Sequence, residues 1–114
     1  MTKNTKKNDT ALIGCGYWGT NIAKVLTKFK KNKIIIYDEN GSNSLILKKR
    51  FPDKTIISKS LKNILHDKNI KNVILATPPE KNYKLLKLCI KNKKNIFIEK
   101  PGLKNYSEIV KIKK

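Results

Sequence analysis

The chain has 114 residues, 27 basic against 8 acidic, for a formal charge of +19. That length suits one domain with its own apolar core, so neither disulfide nor metal staples are required. No apolar run approaches the roughly 20 residues that cross a bilayer, the basic start MTKNTKKNDT is not followed by the apolar stretch of a signal peptide, and no Cys/His pair has zinc-ligand spacing. The expectation is a cytoplasmic protein with no metal and no membrane partner.

Residues 1–9 are polar, lysine-rich and without periodicity, which predicts a disordered basic tail ahead of a domain over 10–114. Residues 10–13 form a short apolar run ending at glycine and predict a buried strand. From 17 to 29 the spacing is helical, with Ile22, Val25, Leu26 and Phe29 on one face. Residues 33–37 carry Ile34-Ile35-Ile36, a β-branched run that predicts a second buried strand. Asp38-Glu39-Asn40-Gly41 is a turn signal. Ser42 is placed as the cap of a helix to about residue 50, with Leu45 and Leu47 apolar, and Phe51-Pro52-Asp53 breaks it.

Residues 55–57 predict a third strand and 60–66 a short helix with Leu61, Ile64 and Leu65 on one side. His66, the one histidine, falls on its polar side and is read as solvated. Residues 72–76 predict a fourth strand, ended by Thr77-Pro78-Pro79. A helix over 80–92 would present Tyr83, Leu86 and Ile90, flanked by Leu85 and Cys89. Residues 95–98 predict a fifth strand, stopped by Pro101-Gly102, and 106–114 a further helix. Strict strand–helix alternation implies an α/β fold: a Rossmann-type open parallel sheet in the order 3-2-1-4-5, with right-handed crossovers and helices on both faces.

The local feature with most chemical content is Gly14-Cys15-Gly16-Tyr17-Trp18-Gly19, a G-x-G-x-x-G run between a buried strand and an amphipathic helix. In that context Gly14 permits a tight turn, Gly16 lets a pyrophosphate approach the backbone, and Gly19 lets helix and strand pack closely. The helix N-terminus offers free N–H groups and a positive dipole end to phosphates. Asp38 lies at the end of the second strand, 19 residues past Gly19. There it could accept hydrogen bonds from an adenosine ribose and repel a 2′-phosphate, favouring NAD over NADP; the plainer alternative is a turn aspartate. Tyr17 and Trp18 could cover the sheet edge, pack on another domain, or stack on a cofactor. Cys15 could have a lowered pKa at a helix N-terminus, or serve as a small residue in a tight loop. With Cys89 it is read as a reduced thiol.

Together, Ile13–Gly19, Tyr37-Asp38, Ala76-Thr77-Pro78-Pro79 and Ile96-Phe97-Ile98-Glu99-Lys100-Pro101 resemble the N-terminal NAD(P)-binding domain of the Gfo/Idh/MocA oxidoreductases. The resemblance implies roles. Lys100 would be catalytic, near the nicotinamide and the substrate hydroxyl, and Pro101 would fix its aim. Glu99 would line the nicotinamide ribose region. Ala76, Thr77 and Pro78 would run beside the cofactor, and Asn82 would stand where the family commonly has histidine. Lys93 stands where the family usually has glycine. The Gly-Tyr-Trp-Gly loop and double proline look most like members acting on nucleotide-linked or amino sugars. A full member is about three times this length. Its second domain carries substrate contacts, a further catalytic group and the oligomer interface. The expectation is therefore a chain truncated before its substrate domain and inactive alone.

Three functions follow. One is the NAD(P)-binding domain of a sugar or sugar-nucleotide dehydrogenase, completed by a second domain. Another is a non-catalytic nucleotide-binding module or sensor. The third, a nucleic-acid-binding protein, is suggested by the charge. Against it, Arg50 is the one arginine among the basic residues, whereas base readers favour arginine, and the lysines are spread along the whole chain. Lys, Asn and Ile share A/T-rich codons, so genome composition accounts for the lysine excess.

Overall fold

A computed structural model describes residues 8–29 and 32–98. They form β1 (Thr10–Ile13), α1 (Tyr17–Phe29), β2 (Ile34–Tyr37), α2 (Gly41–Arg50), β3 (Thr55–Ile57), α3 (Leu61–His66), β4 (Asn72–Leu75), α4 (Pro79–Lys91) and β5 (Asn95–Ile98). The strands make one parallel sheet in the order β3-β2-β1-β4-β5. This is the Rossmann-type fold expected from the alternation. Residues 1–7, the segment Glu99-Lys100-Pro101 and the expected helix over 106–114 lie outside the described residues. Asn8 and Asp9, assigned above to a disordered tail, are instead tied to the sheet. The Asn8 side chain accepts the Lys33 N–H at 2.9 Å, and the Asp9 carbonyl accepts those of Lys71 and Asn72 at 2.8 and 2.9 Å.

Successive side chains of a strand point to opposite faces, so β1, covered on both, feeds two cores. Ala11 and Ile13 join Val73 and Leu75 of β4, Ile64 and Leu65 of α3, and Cys89 of α4. On the other face Leu12 joins Ile34 and Ile36 of β2, Ala23 of α1 and Leu47 of α2. The central strands therefore read as continuous apolar runs.

The helices are rotated relative to the faces expected for them. In α1 the buried residues are Gly19 and Ala23, with Ile22 and Leu26 half-buried, while Val25 and Phe29 are exposed. Close approach at Gly19 selects this arc, because a small residue seats the helix deeper than a large one. In α4 the buried positions are Asn82 and Cys89, with Leu85, Leu86 and Leu88 beside the core, and Ile90 is exposed. In α2 Leu47 is buried and Leu45 exposed.

The cap of α2 also differs. Asn40, not Ser42, is the N-cap, and its side chain accepts the Ser42 N–H at 3.1 Å. Its extended backbone and short carbonyl suit the role, leaving Ser42 inside the first turn, where its hydroxyl donates to the same oxygen. At the end of α4 Lys93 takes a left-handed φ of 59°. Its N–H bonds the Ile90 carbonyl and the Lys94 N–H bonds that of Cys89. This C-terminal turn favours glycine.

Candidate functional site

The carboxyl ends of β1, β2 and β4 meet at one edge of the sheet, where the glycine loop begins. Gly14 has φ +103°, and a Cβ there would lie 2.5 Å from the Ala76 carbonyl oxygen, so both backbone and space demand glycine. Its N–H donates to the Tyr37 carbonyl at 2.8 Å, and the Ala76 N–H donates to that of Ile13 at 2.8 Å. These bonds splice the loop between the neighbouring strand ends. A Cβ on Gly19 would lie 1.9 Å from the Gly14 carbonyl oxygen. Gly19 is the contact that lets α1 close onto the turn.

Gly16 differs from both. A Cβ there would meet nothing within 4 Å. Among the described residues nothing requires glycine at this exposed position, which faces a crevice of about 1390 Å³ over the strand ends. A cleft that large exceeds the roughly 300–1,000 Å³ of an ordinary small-molecule pocket, as suits an elongated ligand.

Asp38 stands at the end of β2 and is held from three sides. Oδ2 accepts the Cys15 N–H at 2.8 Å and the Asn43 side-chain amide at 3.3 Å, and Oδ1 accepts the Asn40 N–H at 2.8 Å. A carboxylate offers roughly four acceptor positions, so these three bonds leave room for one more. Asp38 thus belongs both to the turn and to the crevice wall. The sequence marks Asn40 only as part of a turn and does not single out Asn43, because nothing in a helix-start pattern marks a residue that steadies a carboxylate before it.

Burial, aided by the nearby Asp38 charge, pushes the Cys15 thiol up to about 12. The small-residue reading of Cys15 therefore holds, and a thiolate favoured by the helix N-terminus does not. Tyr17 and Trp18 meet edge to face with centroids 5.1 Å apart. Both are exposed and line the crevice.

On the opposite wall, Ala76, Thr77 and Pro78 run along the crevice. Asn82 lies behind them: it is buried, and the Thr77 hydroxyl donates to its side-chain carbonyl. It steadies the wall from below and does not line the crevice. Glu39, read from the sequence only as a turn residue, and Lys81, not singled out there, pair across the crevice at 2.6 Å. Of the expected site residues, Gly14, Gly16, Tyr17, Trp18, Asp38, Ala76, Thr77 and Pro78 come together around this space. Gly19 and Asn82 support it from behind, while Glu99, Lys100 and Pro101 lie outside the described residues. Among the described residues no cluster of metal-ligating side chains occurs, and no helix is long and apolar enough to cross a membrane.

Residues 9–114 match the family model described as an oxidoreductase family with an NAD-binding Rossmann fold. A search of curated proteins gave no match. Among solved structures, the chain is similar to GenD2 from gentamicin A biosynthesis in complex with NAD, with TM-score 0.80 and 21% identity over 97% of this chain and 32% of that one. It is similar also to UDP-N-acetylglucosamine 3-dehydrogenase GnnA from Acidithiobacillus ferrooxidans, with TM-score 0.79 and 18% identity over 95% and 34%. Biliverdin reductase from Synechocystis, in complex with biliverdin and NADP+, matches with TM-score 0.79 and 17% identity over 92% and 33%. The likeness at these identities is one of fold. The chain spans about a third of the length of these structures.

Proposed function

The chain belongs to the Gfo/Idh/MocA oxidoreductase family, and we propose that its crevice binds NAD in preference to NADP, for hydride transfer to or from a sugar-type hydroxyl. The observation that carries this reading is Gly16. It is a glycine that packing among the described residues does not need, at the mouth of a helix N-terminus and facing the crevice. A pyrophosphate approaching the backbone there would need it. The residues present fit the group: Gly14 and Gly19 shape the loop, Gly16 leaves it open, and Asp38 offers an oriented acceptor to the adenosine ribose.

Preference for NAD rests on charge. In a protein carrying +19, the crevice is lined by three carboxylates, Asp38, Glu39 and Glu80, against two ammonium groups, Lys81 and Lys84, with Lys81 paired to Glu39. A 2′-phosphate would meet the Asp38 carboxylate where a ribose hydroxyl would donate to it.

The nicotinamide, when bound, supplies the hydride chemistry. By family likeness Lys100, between Glu99 and Pro101, serves the substrate hydroxyl as a proton-handling group. The substrate is proposed as a sugar or sugar nucleotide, held with the help of a second domain. GenD2 and GnnA, whose fold the chain shares, support that class.

Calorimetry at about 0.15 M salt, where distant charges are screened, tests the cofactor assignment. NAD is expected to bind more tightly than NADP. Asp38→Ala is expected to weaken NAD about tenfold, as loss of hydrogen bonds to a charged acceptor should. Equal affinities for the two cofactors in the unaltered chain would contradict the reading.

A further inference from the structure

Glu39 follows the ribose-end acid Asp38, and Lys81 stands in the first turn of α4 on the facing wall. Their side chains form an ion pair 42 residues apart in sequence, with Nζ 2.6 Å from Oε2. Both side chains are exposed. An exposed pair adds little to stability, so folding alone gives it no purpose. Its partners are also free to exchange, since neither is locked by packing. The Lys81 ammonium is held above its usual pKa, first by the hydrogen bond and charge of Glu39 and in smaller part by Asp38. Lys81 thus lies within electrostatic reach of the ribose-end acid. Lys84, one turn further along α4, lines the same crevice.

We infer that the Glu39–Lys81 pair sets the cofactor preference: tied to Glu39, Lys81 leaves the adenosine end acidic and selective for NAD, whereas a freed Lys81 is the cation that takes a 2′-phosphate. The inference rests on the dinucleotide reading above and names the residues that tune it. A phosphate monoester is close to doubly charged and accepts strong charge-assisted hydrogen bonds from an ammonium. While Glu39 pairs with Lys81, its carboxylate competes with a phosphate for the ammonium and stands as a second negative charge beside Asp38. Removing the Glu39 charge alters both at once.

The test titrates the full chain, Glu39→Gln, Lys81→Met and the double variant with NAD and NADP at about 0.15 M salt. Adenosine 5′-monophosphate and adenosine 2′,5′-bisphosphate serve as probes of the adenosine end alone. Glu39→Gln is expected to raise affinity for NADP and for the bisphosphate about tenfold, the scale of one charge-assisted contact. NAD and the monophosphate should move less than about threefold, under 1 kcal/mol. The double variant should lose the gain, and Lys81→Met alone should bind NADP no better than the unaltered chain. An unchanged NADP affinity in Glu39→Gln overturns the inference, as does a gain that survives Lys81→Met. If the unaltered chain binds neither cofactor, the dinucleotide reading itself fails, a result distinct from both.

Discussion

Two glycines three residues apart in this chain, Gly16 and Gly19, answer to different masters. Gly19 is required by the protein, because any Cβ would collide with the Gly14 carbonyl. A Cβ on Gly16 would meet nothing within 4 Å among the described residues, and the proposed pyrophosphate sets the requirement there. Gly19→Ala should therefore destabilise the fold by about 3 kcal/mol, as overpacking against rigid backbone does. Gly16→Ala should cost no more than about 1 kcal/mol, the scale of a cap substitution, yet weaken NAD at least tenfold. Urea denaturation and calorimetry on the two variants separate the cases, and a Gly16→Ala chain that binds NAD normally would remove the pyrophosphate from this loop. The thiols give a second residue-scale test. Burial raises Cys15 to about 12 and Cys89 to about 11 from an ordinary 9.0. Each pKa is raised in the folded state, so the associated stability is complete below pH 9 and lost as pH climbs through 9 to 12. Native protein at pH 8 should resist iodoacetamide at both positions, and unfolded protein should react at both. Rapid alkylation of Cys15 in the native chain would mean that the glycine loop opens.

At the scale of elements, the strands were legible because buried parallel strands are short apolar runs between breakers, and 34–36 or 73–75 admit no other reading. The helix spans were nearly as plain, but their rotations were not. Apolar periodicity pointed to Val25 and Phe29, whereas the helix turns its small residues inward at Gly19 and Ala23. Backbone contact, invisible to a count of hydrophobic residues, decides that rotation. Within α2 the difference is measurable: Leu47→Ala should cost about 2–5 kcal/mol, and Leu45→Ala less than about 0.5 kcal/mol. Similar losses at both positions in urea denaturation would contradict the observed orientation. Lys93 closes α4 in a left-handed conformation that costs an ordinary residue roughly 1–2 kcal/mol. Lys93→Gly should accordingly stabilise the chain by about 1 kcal/mol despite the added freedom of the unfolded state. A fall in its urea midpoint would show that the turn is not strained. For the site, the glycines and Asp38 were legible as a fingerprint, but Asn40, Asn43, Glu39 and Lys81 were not. Their roles arise only when the ends of β2 and β4 are brought together around β1.

In a molecule carrying +19, the crevice gathers Asp38, Glu39 and Glu80 beside Lys81 and Lys84. Long-range attraction would draw any polyanion at low salt, so binding alone says little unless its place is known. The far end of the sheet offers a competing location, a shallower hollow lined by His66, Lys68, Lys71, Lys93 and Lys94. Phosphates held only by charge would gather there and on the other lysines, and their affinity would collapse with salt. A dinucleotide bound through shape and directed hydrogen bonds would stay at the glycine loop. Amide chemical shifts of an isotope-labelled chain, followed during NAD titration at about 0.15 M salt, distinguish the two directly. Saturable shifts are expected at Gly14–Gly19, Asp38, Ala76 and Thr77, with 66–71 and 93–94 unmoved. Shifts confined to the lysine hollow, or scattered without saturation, would contradict a dinucleotide site at the strand ends.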